Sequence, residues 1–328
     1  MWKKGKLNVM GIPVKLKRII KEGLRDLYFF DLPIMFARMY CTFTDESVNG
    51  VKKKNKAILD YLNKKYGYLV KRYQEVKESA ENSEMAPVWV LWWDGERAMP
   101  DIIKMCHQSK MRAVGTHPII LLTKDNVRDY IDFPDYVWKQ YEEKKICIQH
   151  LADMIRVQLI QRYGGLWLDA SIYCAKSIPE EFFELPLYSI KGKIDERYVS
   201  KNQWTTFVIG GWKNNVLCSF LNDFFIEYCK SGKPFLDYFM FDCAIALAYS
   251  QIPAVKEQID NLPDVKEDCY WLNSKLEEKA TEQLFSTLKQ QSTVFYKIAW
   301  SRFVNSHMEK NTFYSFLMEK EAINEEKG

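Results

Sequence analysis

The sequence has no cysteine pair. Its eight cysteines (Cys41, Cys106, Cys147, Cys174, Cys218, Cys229, Cys243 and Cys269) never fall in a CxxC spacing, and most sit in apolar runs such as DCAIALA. That pattern excludes a disulfide framework and a thiolate zinc site, and it predicts buried free thiols in a reducing compartment. Histidine is scarce too. His107, His117, His150 and His307 include no HExxH, so histidine-based metal chemistry is not expected. Long apolar runs are missing, and nothing approaches the roughly 18 to 20 uncharged apolar residues that span a bilayer. The opening MWKKGKLNVMGIPVKLKR has neither a continuous apolar core nor a small-residue cleavage site, so no signal peptide is expected. These absences point to a cytoplasmic protein, soluble or held at a membrane surface. There is no internal repeat and no low-complexity tract. No DNA- or RNA-binding signature is present either, so nucleic acid is not an expected partner.

Aromatic residues, by contrast, are abundant. They make up 15% of the 328 residues, with 10 tryptophans. Such an excess fits stacking on sugars or bases, and it also fits a large core or contact with a membrane surface. The net charge of +4 hides a split. Residues 1 to 85 carry 18 Lys and Arg against 10 Asp and Glu, whereas the remainder carries 29 against 33. A basic first segment suggests an anionic partner, a membrane surface before nucleic acid, with a solvated helical face as the alternative.

Residues 14 to 40, VKLKRIIKEGLRDLYFFDLPIMFARMY, have helical spacing with a break at Pro33. This basic amphipathic stretch could lie in a membrane interface or pack its apolar face on the main domain. Charged helices continue over 47 to 80, and ENSEMAP at 81 to 87 reads as a linker. The expected division is a basic helical segment, 1–85, and a catalytic domain, 86–328. From Val88 the pattern alternates: strand VWVLWW (88 to 93), a helix opened by Pro100, strand HPIILLT (117 to 123), then helices over 133 to 145 and 149 to 163. Strand-helix alternation of this kind predicts an α/β domain with a mainly parallel sheet and a ligand site beyond the strand carboxyl ends. Strands are expected again at 185 to 190, 205 to 211 and 292 to 300. Helices are expected at 215 to 232, 237 to 250 and 274 to 290, and EAINEEKG at the end reads as frayed.

The stretch QHLADMIRVQLIQRYGGLWLDASIY (149 to 173) is the most informative. Leu151, Met154, Ile155 and Leu159 form the buried stripe of a helix, and Asp153 and Arg156 are neighbours on its other side, where an ordinary surface ion pair is the plain reading. Gly164 and Gly165 stop the helix. In the short strand that follows, Asp169 falls on the same face as Trp167. An acid at a strand end beside a polar helix face is placed to hold a divalent cation through oxygen.

These residues carry a resemblance. The stretch WWDGERAMPDIIKMCHQS, the run from IILLTKDN to GGLWLDASIY, and STVFYKIAW resemble the capsular polysaccharide synthesis glycosyltransferases. These are similar in turn to the family 32 sugar transferases and, distantly, to the clostridial glucosylating toxins. The resemblance covers residues 87 to 300. It implies a glycosyltransferase-A (Rossmann-like) domain, with the N-terminal helical segment outside the shared motifs. It also implies a nucleotide-diphosphate sugar donor such as a UDP-hexose, Mn²⁺ or Mg²⁺, and retention at the anomeric carbon. The expected acceptor is a growing capsular or surface polysaccharide, and the basic, partly amphipathic N-terminus would bring the protein to a lipid-linked one.

Residue by residue, Asp153 and Arg156 match an Asp-x-x-Arg that contacts donor sugar and phosphates, and Asp169 matches the first acid of an Asp-x-Asp metal motif. Trp92 or Trp93 matches a tryptophan that stacks on the base. Asp242 matches an acid near the sugar, and Trp300 an aromatic near the diphosphate, where Lys297 would share the charge. The motif here reads Asp169-Ala170-Ser171, so a neutral hydroxyl replaces its second carboxylate. That departure leaves open an alternative, a non-catalytic protein that binds nucleotide sugars or glycans on the same fold.

Overall fold

The computed structural model describes residues 14–77, 85–264, 268–303 and 311–325. Three helices come first: α1 (Val14–Phe29), α2 (Leu32–Phe43) and α3 (Val48–Tyr73). Then follow β1 (Val88–Leu91), α4 (Asp101–Ala113), β2 (Ile119–Leu122), α5 (Asp135–Glu142), α6 (Ile148–Tyr163), β3 (Gly165–Leu168) and β4 (Ile172–Cys174). The second half holds β5 (Leu187–Ser189), β6 (Val208–Gly211), α7 (Val216–Lys230), α8 (Met240–Gln251), α9 (Pro253–Asp260), α10 (Trp271–Lys275), α11 (Glu282–Gln290), β7 (Phe295–Lys297) and α12 (Phe313–Glu325).

The central sheet has the order β2-β1-β3-β6-β5. β1 is parallel to β2 and β3, and β6 is antiparallel to both β3 and β5. β6 alone therefore runs against the other four, and the sheet is mixed but mostly parallel. Alternation in β3 sorts its side chains as the period of a strand demands. Trp167 faces the core built by α6, α7 and α8, whereas Leu166 and Leu168 face a second core with Tyr188, Val208 and Phe295. Helix α3 contributes Ile58, Leu62, Leu69 and Val70 to the first of these cores. Gly165 is required where β3 meets the chain entering β1. Its φ is +97°, and a Cβ there would lie 2.1 Å from the Pro87 carbonyl oxygen.

A separate two-stranded ladder, β4 with β7, pairs Ile172 with Lys297 and Tyr173 with Tyr296. It carries the C-terminal part of the chain back to the end of β3.

Several expectations need correction. The break in the first helical stretch falls at Phe30–Asp31, because the Asp31 side chain caps α2 by accepting from the Ile34 N–H, and Pro33 sits in the first turn. β1 stops at Leu91, and a turn closed by Gly95 N–H on the Trp92 carbonyl takes the two tryptophans out of the strand. The helix expected over 274 to 290 is two helices. Leu276 is fully buried, the chain after it is pinned by the 311–314 backbone, and Thr281 caps a fresh start at α11.

The tail is not wholly frayed, since α12 runs to Glu325 and its Glu321 is buried against Arg112 and the Tyr173 hydroxyl. Most of the expected linker lies outside the described residues. Among the described residues, no helix is long and apolar enough to cross a membrane.

Candidate active site

A cleft of about 720 Å³ opens at the carboxyl ends of β1 and β3. All nine residues singled out from the sequence line it: Trp92, Trp93, Asp153, Arg156, Asp169, Ser171, Asp242, Lys297 and Trp300. The turn after β1 delivers the first two, α6 the next two, and the end of β3 with its following turn delivers Asp169 and Ser171. Asp242 comes from the first turn of α8, and Lys297 ends β7.

Asp169 is the hub. Its Oδ2 accepts from Lys297 Nζ at 2.6 Å, its Oδ1 accepts from Trp167 Nε1 at 2.9 Å, and Arg156 Nη2 stands 3.5 Å away. Burial acts to raise the Asp169 pKa, but Lys297 and Arg156 overcome it and hold the carboxyl below its ordinary range.

Arg156 is buried, so the surface ion pair expected from the sequence is corrected. α6 is enclosed on almost every side, and its polar face looks into the cleft. The guanidinium reaches Asp153 Oδ1 at 3.2 Å, donates to the Thr206 carbonyl, and lies over the rings of Trp167 and Phe241 at 4.9 and 5.4 Å. Its Nε has no hydrogen-bond partner among the described residues.

The other two carboxylates are shifted the opposite way. Burial pushes Asp153 up to about 7, against the pull of Arg156 and His150 and with help from the nearby charges of Asp242 and Asp169. Burial pushes Asp242 up to about 6, and the 3.0 Å bond from Trp204 Nε1 works against it. The walls are aromatic. Trp92 meets Trp300 edge-on at 5.5 Å, and Trp93 meets Tyr141 edge-on at 5.4 Å.

Asp169 and Ser171 are the residues expected from the sequence to meet a cation, and both Asp169 oxygens already accept, one from Lys297 and one from Trp167. Among the described residues, no group of three His, Cys, Asp or Glu side chains gathers as a metal site. One carboxylate and one hydroxyl suit an ion of the Mg²⁺ class that takes its remaining oxygens from a diphosphate and water. They do not suit an ion caged by protein.

Residues without a sequence signal complete the site. Lys110 is fully buried on α4, and its ammonium donates to the Ala170 carbonyl at 2.8 Å, fixing the turn between Asp169 and Ser171. Burial lowers its pKa. Trp204, Thr206 and Phe207 come from the irregular chain before β6, and Tyr238 and Phe239 from the turn before α8. No local pattern announces them. Trp167 is the exception, since strand alternation pairs it with Asp169.

Residues 38–317 match the model of the family described as capsular polysaccharide synthesis protein. The chain belongs to that family. The match begins within α2 and ends within α12, so it takes in α3, both cores and the whole cleft. A curated relative, the O-glycosyltransferase braB of Annulohypoxylon truncatum, is 24% identical over 149 residues. That alignment covers 42% of this chain and about a third (35%) of the relative. A solved PaToxG glycosyltransferase structure overlaps 63% of this chain and 82% of its own, at 13% identity and a TM-score of 0.39, too low to establish a common fold.

Proposed function

We propose that the protein is a retaining glycosyltransferase on a glycosyltransferase-A type domain. It moves a hexose from a nucleotide-diphosphate donor, a UDP-sugar, to a lipid-linked or growing polysaccharide at the cytoplasmic face of a membrane. One observation carries the reading: Lys297 and Arg156 flank Asp169 on the floor of a tryptophan-lined cleft.

In this reading Trp93 stacks on the base, and Trp92 and Trp300 wall the diphosphate. Arg156 and Lys297, both on the cleft lining, take up phosphate charge. Asp169 and Ser171 would hold a Mn²⁺ or Mg²⁺ ion, which supplies positive charge against the departing diphosphate. Asp153 and Asp242 orient sugar hydroxyls. Their raised pKa values leave both partly protonated near neutrality, able to donate as well as accept. The leaving phosphate accepts the proton of the attacking hydroxyl, so no separate base is required.

A second reading rests on Asp153. A carboxylate near 7 suits a general base, which would make the transfer inverting. The anomeric configuration of the product, read by NMR, separates the two. The transfer reading itself is tested with Asp169→Ala. Release of nucleoside diphosphate from a donor panel should fall to background while the melting temperature stays within a few degrees. Full activity in that variant removes the reading, and donor binding without turnover by the unaltered protein, under every acceptor, favours a binding protein.

A further inference from the structure

Helices α1 and α2 form a hairpin whose inward side is fully committed. Ile19, Asp26, Ile34 and Cys41 are buried, and Gly23 receives Met35 and Met39 of the opposite helix. Arg38 bonds to Asp26 at 2.6 Å, to the Leu236 carbonyl at 2.7 Å and to Asp237 at 3.2 Å, and Arg25 donates to the Phe235 carbonyl. The hairpin is thus fastened to the segment that leads into Tyr238 and Phe239 on the cleft rim.

Its outward side is apolar on both helices. On α1, Leu16, Ile20, Leu24 and Leu27 recur at intervals of three and four and are exposed, with Tyr28 beside them. On α2, Leu32, Phe36, Tyr40 and Phe43 do the same, and Phe36 and Phe43 are 61% and 72% exposed. The single charged residue of α2, Arg38, points inward, so the solvent face of that helix holds no charge at all. A helix on a water-soluble surface normally shows the reverse, and contiguous apolar patches of this kind mark a contact.

Lysines border this apolar face, and two acids close to it, Glu22 and Glu46, are both paired with Arg18. Lys17 and Lys21 are exposed next to the α1 stripe, and Lys53 of α3 places its ammonium 4.2 Å from the Tyr40 ring. Among the described residues no carboxylate pairs with these three. In the sequence, residues 1 to 13 add Lys3, Lys4 and Lys6 and no Asp or Glu.

We propose that the α1–α2 hairpin docks on the surface of an anionic lipid bilayer, its two apolar stripes seated among acyl chains and its lysines at the headgroups. Apolar contact with flanking cations is the combination such surfaces bind. A second copy of the hairpin would bring the same lysines against one another. Docking stands apart from the transfer reaction. Where that reaction holds, docking fixes the cleft rim beside an acceptor anchored in the same membrane.

Flotation of the full chain tests this, with vesicles of equal parts phosphatidylglycerol and phosphatidylcholine and with vesicles of phosphatidylcholine alone. The wild-type chain should float with the anionic vesicles and less so in high salt. The triple variant Leu24→Glu, Phe36→Glu, Phe43→Glu should partition about tenfold less or worse, with an unchanged melting temperature because all three side chains are exposed. Lys17→Glu with Lys21→Glu should lose the preference for anionic lipid while keeping the fold. Wild-type protein that stays in the soluble fraction, or a triple variant that floats equally well, overturns the proposal. So does a dimer in sedimentation that the triple variant abolishes while lipid binding is absent.

Discussion

Lys297 Nζ lies 2.6 Å from Asp169 Oδ2 across 128 residues of sequence, on a ladder of two three-residue strands that has no bond to the central sheet. Lys297 is the nearer of two cations that neutralise the carboxylate at the end of β3, Arg156 being the other. Lys297→Met should therefore keep the fold, weaken donor binding and lower kcat, by about 10²–10³ if the ammonium stabilises the leaving diphosphate. Steady-state kinetics with saturating donor checks it, and unchanged kcat would confine Lys297 to structure.

Asp153 gives a pH signature. Its folded pKa of about 7 lies above the ordinary carboxylate value, so it binds its proton more tightly when folded. The stability it contributes is fully present below about pH 4 and is lost as pH rises through 7. Asp169 is shifted the other way, so its contribution is present above the ordinary carboxylate range and disappears only in acid. Asp153→Asn should match the wild type in melting temperature at pH 4 and exceed it by several degrees at pH 8. Parallel curves across that range would refute the burial of an ionising Asp153.

Lys110 holds the Ala170 carbonyl from inside the core. Lys110→Met removes that donor and leaves a chain of similar volume. The expected outcome is a melting temperature lowered by a few degrees, since an abandoned buried acceptor costs about 1–3 kcal/mol, together with a loss of kcat/KM of about tenfold or more. A matching loss of stability with intact kinetics would make Lys110 a purely structural residue.

Trp93 is half-exposed on the cleft wall, edge-on to Tyr141. Trp93→Ala should weaken nucleoside diphosphate binding by about 10- to 100-fold, because base stacking on an aromatic is worth about 1–3 kcal/mol, and Trp93→Phe should recover most of it. Calorimetry with free UDP and with the other nucleoside diphosphates reads both the loss and the base preference.

The centre of the site was legible for local reasons. Gly164 and Gly165 both take positive φ, and the strand they open has room for only one alternation before Asp169. What was not legible is tertiary. Helical spacing puts Lys110 on the stripe of Ile103, Cys106 and Ala113 and leaves Lys104 off it, but what a lysine does there is shown only by packing against β4. Trp204 gains its role from Asp242, 38 residues away, and α12 shows its purpose only through Glu321 and Arg112. Taken alone, Asp153 and Arg156 read as a surface ion pair because the rings of Trp167 and Phe241 that roof Arg156 come from other segments.

The enclosure of Arg156 has a consequence for assembly. Its charge is satisfied by groups from α6, from β3 and from the chain before β6. A partly folded chain, with any of these out of place, would hold a bare cation in its interior and no donor cleft. On the proposed transfer reading a nucleotide sugar would bind only the finished molecule, so it should raise the melting temperature in proportion to the logarithm of its concentration. Among chains in a cell, those with substrate bound would be the last to unfold.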